Sequence, residues 1–236
     1  MIIMAHRGYS SKAPENTMPA FELAMEAGSG GIELDVHLTK DGEVVVIHDD
    51  VLNRTTNGKG QVEEFTMAEL KELDAGSWFS PDFKGTKLPT LREVLELISQ
   101  HNVLLNVETK TALGFEQLNE KLAPLLDEYA MWEKTIISSF NHYALVHIKT
   151  IRPQARTGIL YNCALVNPWV YAKSIGASAL HAYHRTVIPE LVQAAQQNGM
   201  MVNVWTVDEA VDIERVTLAK VDSIITNVPG RAQSLQ

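Results

Sequence analysis

The sequence predicts an α/β fold, a closed (β/α)8 barrel with a small insertion after the second strand. Short β-branched runs alternate with amphipathic stretches, which is typical of parallel strands joined by helices. Eight strand–helix units within 236 residues favour a closed barrel. An open, doubly wound sheet would show the same alternation. However, no glycine-rich phosphate-binding loop follows the first predicted strand, which argues against a nucleotide-binding sheet.

The first elements are a strand, a helix and a hairpin. A β-branched run at residues 2–5 precedes an amphipathic stretch at residues 17–27, and Gly28 provides the stop signal for this helix. A strand at residues 31–36 and a run at residues 44–47 flank a Lys-Asp-Gly turn signal, so this pair is predicted to be antiparallel.

Residues from about 50 to 89 interrupt the alternation and are interpreted as an insertion within a single barrel domain, residues 1–236. They are rich in Thr, Gly and Asn and contain one short helix, which opens with the capping box of Thr66 and Glu69. Thr90 and Glu93 repeat that pattern at the start of the following helix.

The second half of the chain alternates regularly between strands and helices. The predicted strands are residues 103–107, 134–138, 155–160, 178–180, 200–205 and 223–226. The predicted helices are residues 115–128, 141–150, 168–175, 189–198 and 208–219. Together with 2–5 and 31–36, eight strands can lie parallel, and 44–47 is an antiparallel extra strand.

Composition argues against general nucleic-acid binding, because a protein with a formal net charge of −9 repels a phosphate backbone. Cys163 is the only cysteine, so no intrachain disulfide can form, which agrees with a reducing cytoplasm. No run of about 18 apolar residues and no secretory leader is visible, so no membrane span is expected. We therefore expect a cytoplasmic protein of undetermined oligomeric state.

Polar side chains collect where the predicted strands end, and in a barrel this end carries the active site. These candidates are His6, Arg7, Glu33, Asp35, His48, Glu108, Lys110, His181 and Trp205.

Three of the candidates are carboxylates that can share one site. Glu33 and Asp35 are two residues apart on a strand and so face the same side, where Glu108 from the next barrel strand can join them. Three close carboxylates repel one another unless a cation neutralises them, and all-oxygen ligation selects Mg²⁺, Ca²⁺ or Mn²⁺. The alternative for Glu33 and Asp35 is a pair of salt-bridged rim residues.

His6 and His48 are candidates for proton transfer, because imidazole titrates near neutral pH. A structural hydrogen-bonding role is the alternative for each ring. Arg7 and Lys110 offer positive charge for a phosphate, the alternative being a pair of solvated ions.

Trp205 can either stack on a small polyol or belong to the core. His181 can either bond a substrate hydroxyl or satisfy a backbone group. We expect both to line the substrate pocket.

Taken in order, these segments resemble the glycerophosphodiester phosphodiesterase family from one end of the chain to the other, most densely in the first half. The matching segments are 6–8 (HRG), 14–17 (PENT), 32–36 (IELDV), 39–42 (TKDG), 46–49 (VIHD), 52 (L), 54–56 (RTT), 60 (G), 88–91 (LPTL), 108–110 (ETK), 138–140 (SSF), 204–207 (VWTV) and 225–229 (ITNVP). Asn227 stands where many relatives have Asp.

The resemblance implies a TIM barrel that hydrolyses a small-molecule glycerophosphodiester to an alcohol and sn-glycerol 3-phosphate, with one divalent cation, Mg²⁺ or Ca²⁺ (Mn²⁺ is possible). It implies metal ligation by Glu33, Asp35 and Glu108. It also implies acid–base roles for His6 and His48, and phosphate contacts from Arg7 and Lys110.

Two other functions stay open at this point. One is another metal-dependent barrel enzyme, such as an enolising enzyme with Lys110 as its base. The other is a catalytically silent protein that binds phosphodiesters on the same scaffold.

Overall fold

The computed structural model describes residues 1–110 and 114–235. Its strands are β1 Ile2–His6, β2 Gly31–Leu38, β3 Val44–Val46, β4 Leu104–Thr109, β5 Thr135–Ser139, β6 Arg156–Tyr161, β7 Ala179–Tyr183, β8 Met201–Trp205 and β9 Ser223–Thr226. Its α-helices are α1 Met18–Glu26, α2 Met67–Glu72, α3 Leu91–Ile98, α4 Phe115–Glu128, α5 His142–Ile151, α6 Pro168–Ser174, α7 Pro189–Gln197, α8 Ala210–Leu218 and α9 Pro229–Ser234.

The strands close into a barrel. All neighbours from β4 through β9 pair in parallel, and β1 closes the ring by pairing in parallel with both β9 and β2. β2 in turn pairs in parallel with β4, whereas β3 lies antiparallel on β2, outside the ring. The predicted TIM barrel with an extra strand is therefore confirmed.

The structure extends β2 beyond the prediction because this strand has two successive partners along one edge. Its first residues pair with β1 as far as Glu33, and its last three residues, from Val36 to Leu38, pair with β3. The hairpin thus continues β2 above the barrel rim. Helix α9 was not predicted, although Pro229 in its first turn is a typical start signal.

Two apolar cores hold the chain together. The larger fills the space between the barrel and its helices; α3, for example, buries Leu91, Val94, Leu95 and Ile98 along one helical stripe. The smaller lies under the segment between β3 and α3, where Leu52 and Leu70 are among its fully buried side chains. This second core anchors the inserted segment to the barrel, and that segment begins at the rim.

Capping boxes fix the starts of the helices on either side of that core. Thr66 accepts a hydrogen bond from the Glu69 backbone, and Glu69 accepts one from the Thr66 backbone in return. Thr90 and Glu93 do the same at the start of α3. Both boxes were predicted.

Among the described residues, no helix is both long and apolar enough to cross a membrane. The cytoplasmic location stays a prediction.

Candidate active site

Three carboxylates converge at the carboxyl ends of β2 and β4. Asp35 and Glu108 are direct partners in the parallel register of these strands, and Glu33 lies two residues before Asp35 on the same face. All three are buried, and one oxygen from each lies within 4.8 Å of the others. The structure therefore brings together the predicted metal ligands.

The charges of these carboxylates strongly shift one another's pKa values. Burial, together with the nearby charges of Asp35 and Glu108, raises the pKa of Glu33 well above its usual range. Burial and the charge of Asp35 raise the pKa of Glu108 to about 7. Burial would also raise the pKa of Asp35, but Lys110 and Arg7 outweigh it and lower that pKa to about 2. An all-oxygen set with this much repulsion fits a hard divalent cation.

Arg7 and Lys110 lie against this triad. The Arg7 backbone N–H donates to Glu33 Oε2 at 2.9 Å, and its Nε lies 3.2 Å from Asp35 Oδ2. Lys110 Nζ lies 2.6 Å from Glu108 Oε1 and 3.2 Å from Asp35 Oδ1. Arg7 and Lys110, which were predicted to contact the phosphate, are therefore held beside the carboxylates.

Local backbone geometry fixes the position of Arg7. Its φ is +55°, and that of Gly8 is +78°, so the chain makes a left-handed turn immediately after β1. A Cβ on Gly8 would lie 2.6 Å from the Ala20 backbone carbon, so helix α1 packs closely on this turn. Glycine at position 8 is therefore required both by its φ and by the available space.

The His6 ring is held in one tautomer by a chain of hydrogen bonds. Asn227 Nδ2 donates to Asp208 Oδ2 at 2.6 Å, which orients the Asn227 amide and leaves its Oδ1 as an acceptor. Ser10 Oγ donates to that oxygen at 2.7 Å, and His6 Nδ1 lies 2.7 Å from it. His6 Nδ1 therefore carries the hydrogen, and Nε2, 3.9 Å from Glu33 Oε2, keeps its lone pair. Burial and the charge of Arg7 lower the pKa of His6 to about 4.

His48 is oriented by a carboxylate instead. Its Nδ1 lies 2.6 Å from Asp49 Oδ1, and because a carboxylate only accepts, Nδ1 is the donor. His37 Nε2 lies 3.0 Å from the His48 carbonyl oxygen and holds its backbone. Burial lowers the pKa of His48, although the charge of Asp35 opposes this.

Two cavities meet at the centre of the rim. A small one of about 90 Å³ is lined by His6, Arg7 and Glu33 together with apolar side chains that include Leu160 and Trp205. A wide one of about 760 Å³ opens to solvent. The residues that line both are His48, Glu108, Lys110 and Phe140.

Comparison with known proteins identifies the family to which this barrel belongs. The model of the glycerophosphoryl diester phosphodiesterase family matches residues 6–231. The chain belongs to this family. It is therefore an enzyme, a phosphoric diester hydrolase.

Named relatives agree over nearly the full length. A glycerophosphodiester phosphodiesterase of Caldanaerobacter subterraneus subsp. tengcongensis is 48% identical over 229 residues, which are 97% of this chain and 94% of that protein. One from Bacillus altitudinis is 36% identical, over 99% of this chain and 97% of that protein. An Oleispira antarctica phosphodiesterase, solved in complex with the product sn-glycerol-3-phosphate, aligns with a TM-score of 0.94 at 31% identity and covers 100% of this chain and 96% of that chain.

The structure places Trp205 and His181, which were both predicted to line the substrate pocket, in different surroundings. Trp205 is on the wall of the small cavity, its ring edge-on to Phe140 at 5.5 Å, and its Nε1 donates to the His181 carbonyl oxygen at 2.8 Å. The His181 ring instead lies inside the barrel, fully buried, with its Nε2 3.0 Å from Asn203 Nδ2. It does not belong to either cavity lining.

The predicted pocket position of His181 therefore does not match the structure. The prediction ended this strand at residue 180, whereas β7 continues to Tyr183 and carries His181 in its interior. Gly158 on β6 makes room for the ring, because a Cβ there would lie 2.3 Å from a His181 ring carbon. His181 is part of the barrel interior, and burial lowers its pKa to about 3.

We expect His181 to destabilise the protein in acid. Between the ordinary histidine pKa of about 6.5 and the folded value of about 3, the unfolded chain binds a proton that the folded ring excludes. The free energy of unfolding should therefore fall by about 1.4 kcal/mol for each pH unit below 6.5. When the free energy of unfolding is measured with urea between pH 7 and 5, His181→Gln should lack the part of the pH dependence that His181 contributes. Equal slopes for the two proteins would contradict the assignment.

Sequence reasoning assigned no function to three charged residues that the structure places at the rim. Glu15, Asp49 and Arg54 form ion pairs with one another and with the predicted site residues. The signal in the sequence was that all three lie in segments that resemble the family. Asn16, in the loop before α1, donates from Nδ2 to Asp35 Oδ2 at 2.8 Å.

Proposed function

We propose that this enzyme hydrolyses glycerophosphodiesters to an alcohol and sn-glycerol 3-phosphate, that it requires a divalent cation, and that His6 and His48 transfer the protons. The observation that carries this proposal is the buried triad of Glu33, Asp35 and Glu108, in which one oxygen from each residue lies within 4.8 Å of the others. Glu33 and Glu108 line the same small cavity as His6 and His48. The family membership of the chain supports the choice of substrate.

The charge balance of the rim supports one divalent cation. Within the connected ion pairs and hydrogen bonds around the triad, five carboxylates face three fixed cations, an excess of two formal negative charges. The carboxylates are Glu15, Glu33, Asp35, Asp49 and Glu108, and the cations are Arg7, Arg54 and Lys110. Glu33, Asp35 and Glu108 would hold Mg²⁺ or Ca²⁺, and Mn²⁺ is a further candidate. When bound, such an ion supplies a Lewis acid for a phosphoryl oxygen.

Arg7 and Lys110 would bind the phosphate. Arg7 presents a planar fork that is pinned on one side by Asp35, and Lys110 presents a point charge between Asp35 and Glu108. Because both cations are held before the substrate arrives, little reorganisation is needed as negative charge grows on the phosphoryl oxygens.

The two imidazoles would move the protons. In both rings Nδ1 is committed to a neighbouring side chain, Asn227 for His6 and Asp49 for His48, so Nε2 is the atom available for proton transfer. One ring takes the proton of the attacking oxygen, and the other gives a proton to the departing alkoxide. The nucleophile is either a water or the glycerol hydroxyl, and the second gives a cyclic phosphate first.

The unequal cavities suggest where each half of the substrate lies. The small cavity accommodates glycerol, whose carbon backbone packs on Leu160, Trp205 and Phe140. The wide, open cavity receives the variable alcohol. An enolising reaction with Lys110 as its base is disfavoured, because Asp35 and Glu108 outweigh burial and raise the pKa of Lys110, which keeps it charged.

A metal panel with product analysis tests the proposal. Protein treated with EDTA is supplied with glycerophosphocholine and Mg²⁺, Ca²⁺ or Mn²⁺, and the products are followed by ³¹P NMR. We expect sn-glycerol 3-phosphate only in the presence of a cation, and a transient cyclic phosphate if the glycerol hydroxyl attacks. Turnover in EDTA, or no turnover with any of these cations, would refute the proposed function.

A further inference from the structure

We infer that Arg54 and Glu15 are positioning residues of the reaction, because they join Arg7 and His48 into one continuous chain of ion pairs through Asp49. The inference rests on the proposed function, in which Arg7 binds the phosphate and His48 transfers a proton. It assigns a catalytic purpose to two residues that touch neither the carboxylate triad nor, in the proposed binding mode, the substrate.

Arg54 is the centre of the chain. Its Nε and Nη2 donate to Asp49 Oδ2 and Oδ1 at 2.7 and 2.9 Å. Its Nη1 and Nη2 donate to Glu15 Oε2 and Oε1 at 2.7 and 2.8 Å. A guanidinium is rigid and planar, so two bidentate pairs fix the two carboxylates relative to each other. Lysine cannot reproduce this arrangement.

Glu15 links Arg54 to Arg7 and so helps to orient the Arg7 guanidinium. Its Oε1, which already accepts from Arg54, also accepts from Arg7 Nη1 at 2.7 Å. The other side of the Arg7 guanidinium faces Asp35 at 3.2 Å. Arg54 and Arg7 outweigh burial and lower the pKa of Glu15, so this carboxylate stays charged between the two guanidiniums. The Arg7 plane is thus held at both edges.

Asp49 links Arg54 to His48 and so helps to orient the His48 ring. Its Oδ1 accepts from Arg54 Nη2 and from His48 Nδ1, so the carboxylate cannot turn without breaking one of these bonds. Without Arg54, the Asp49 carboxylate would be free to rotate, and the His48 ring would lose its fixed orientation. A misplacement of about 1 Å at a reacting group is enough to cost roughly 10²-fold in rate.

The chain also connects two separate parts of the fold. Glu15 belongs to the loop between β1 and α1, and Arg54 to the inserted segment after β3. Leu52, two residues before Arg54, is fully buried in the second core and anchors the segment independently. Arg54 lies outside that core, with a side chain that is 44% exposed, so the apolar packing of the insertion does not depend on it.

The test compares Arg54→Ala and Arg54→Lys with the control Arg92→Ala. Arg92 is similarly exposed, at 48%, and pairs with Glu128 between α3 and α4; neither residue lines either cavity. We expect Arg54→Ala to lower kcat roughly 10–100-fold with a smaller change in KM, and Arg54→Lys to fall between it and the wild type. Millimolar methylguanidinium should restore part of the activity of Arg54→Ala. Arg92→Ala should keep full activity, and thermal melting should show that all three variants fold.

A double-mutant cycle separates positioning from a general loss of stability. If Arg54 acts through Asp49, the Arg54→Ala substitution should cost much less in kcat when Asp49→Asn is already present. Full additivity of the two substitutions would overturn the inference, as would full activity of Arg54→Ala. A wild-type protein that turns over no glycerophosphodiester would refute the proposed function, and the inference with it. An active wild type with an equally active Arg54→Ala would refute only the inference.

Discussion

Replacing Glu33 by glutamine is expected to abolish both the stabilisation of the protein by divalent cations and most of its turnover. A cation at 100 times its Kd should stabilise the wild type by about 2.7 kcal/mol, which corresponds to a rise in Tm of roughly 5–10 °C. The loss of charge stabilisation at the phosphate, roughly 4 kcal/mol, corresponds to a decrease in kcat of about 10³-fold.

Glu33→Gln should nevertheless fold. The pKa of Glu33 is raised by burial and by repulsion from Asp35 and Glu108, so a neutral amide removes an unfavourable charge. The amide oxygen can also still accept the hydrogen bond from the Arg7 backbone. In EDTA the variant should therefore melt at or above the temperature of the wild type.

The control for this substitution is Glu63→Gln, which removes an exposed carboxylate on the inserted segment. It should retain both the rise in Tm and the activity. If Glu33→Gln kept a wild-type rise in Tm with Ca²⁺, Mg²⁺ or Mn²⁺, the triad would not be the site that binds the cation.

Strand periodicity is the reason that the barrel and the triad were predictable. Alternation along β2 puts Glu33 and Asp35 on one face, and the parallel register of the barrel then brings Glu108 beside Asp35. Both facts follow from local pattern and topology. The insertion was visible because its Thr, Gly and Asn clusters break that pattern.

The sequence analysis failed for residues whose positions depend on tertiary contacts between distant parts of the chain. The pocket position predicted for His181 was wrong because β7 runs three residues past the predicted end, and only its pairing with β8 reveals this. Glu15 and Arg54 lie 39 residues apart, and their contact depends on how the inserted segment folds back over the first loop. No periodicity encodes such a contact.

Replacing either histidine should nearly abolish turnover. His6→Gln and His48→Gln should each lower kcat by roughly 10²–10⁴-fold, because the amide cannot exchange a proton near neutral pH. His101→Gln is the matched control, since His101 is an exposed ring that precedes β4, at the amino ends of the strands. Full activity in either His6→Gln or His48→Gln would refute the two-histidine mechanism.

A change of leaving group should then distinguish the roles of the two rings. His48 lines the wide cavity, where the alcohol is proposed to lie, and its carboxylate partner Asp49 opposes the lowering of its pKa by burial. His6 lines only the small cavity, and its partner Asn227 is neutral. We therefore expect His48 to be the general acid.

With an acidic phenol in place of the alcohol, the leaving group needs no proton, so His48→Gln should recover most of its lost rate and His6→Gln should not. Recovery by His6→Gln alone would reverse the assignment, and equal recovery by both would show that neither ring protonates the leaving oxygen alone.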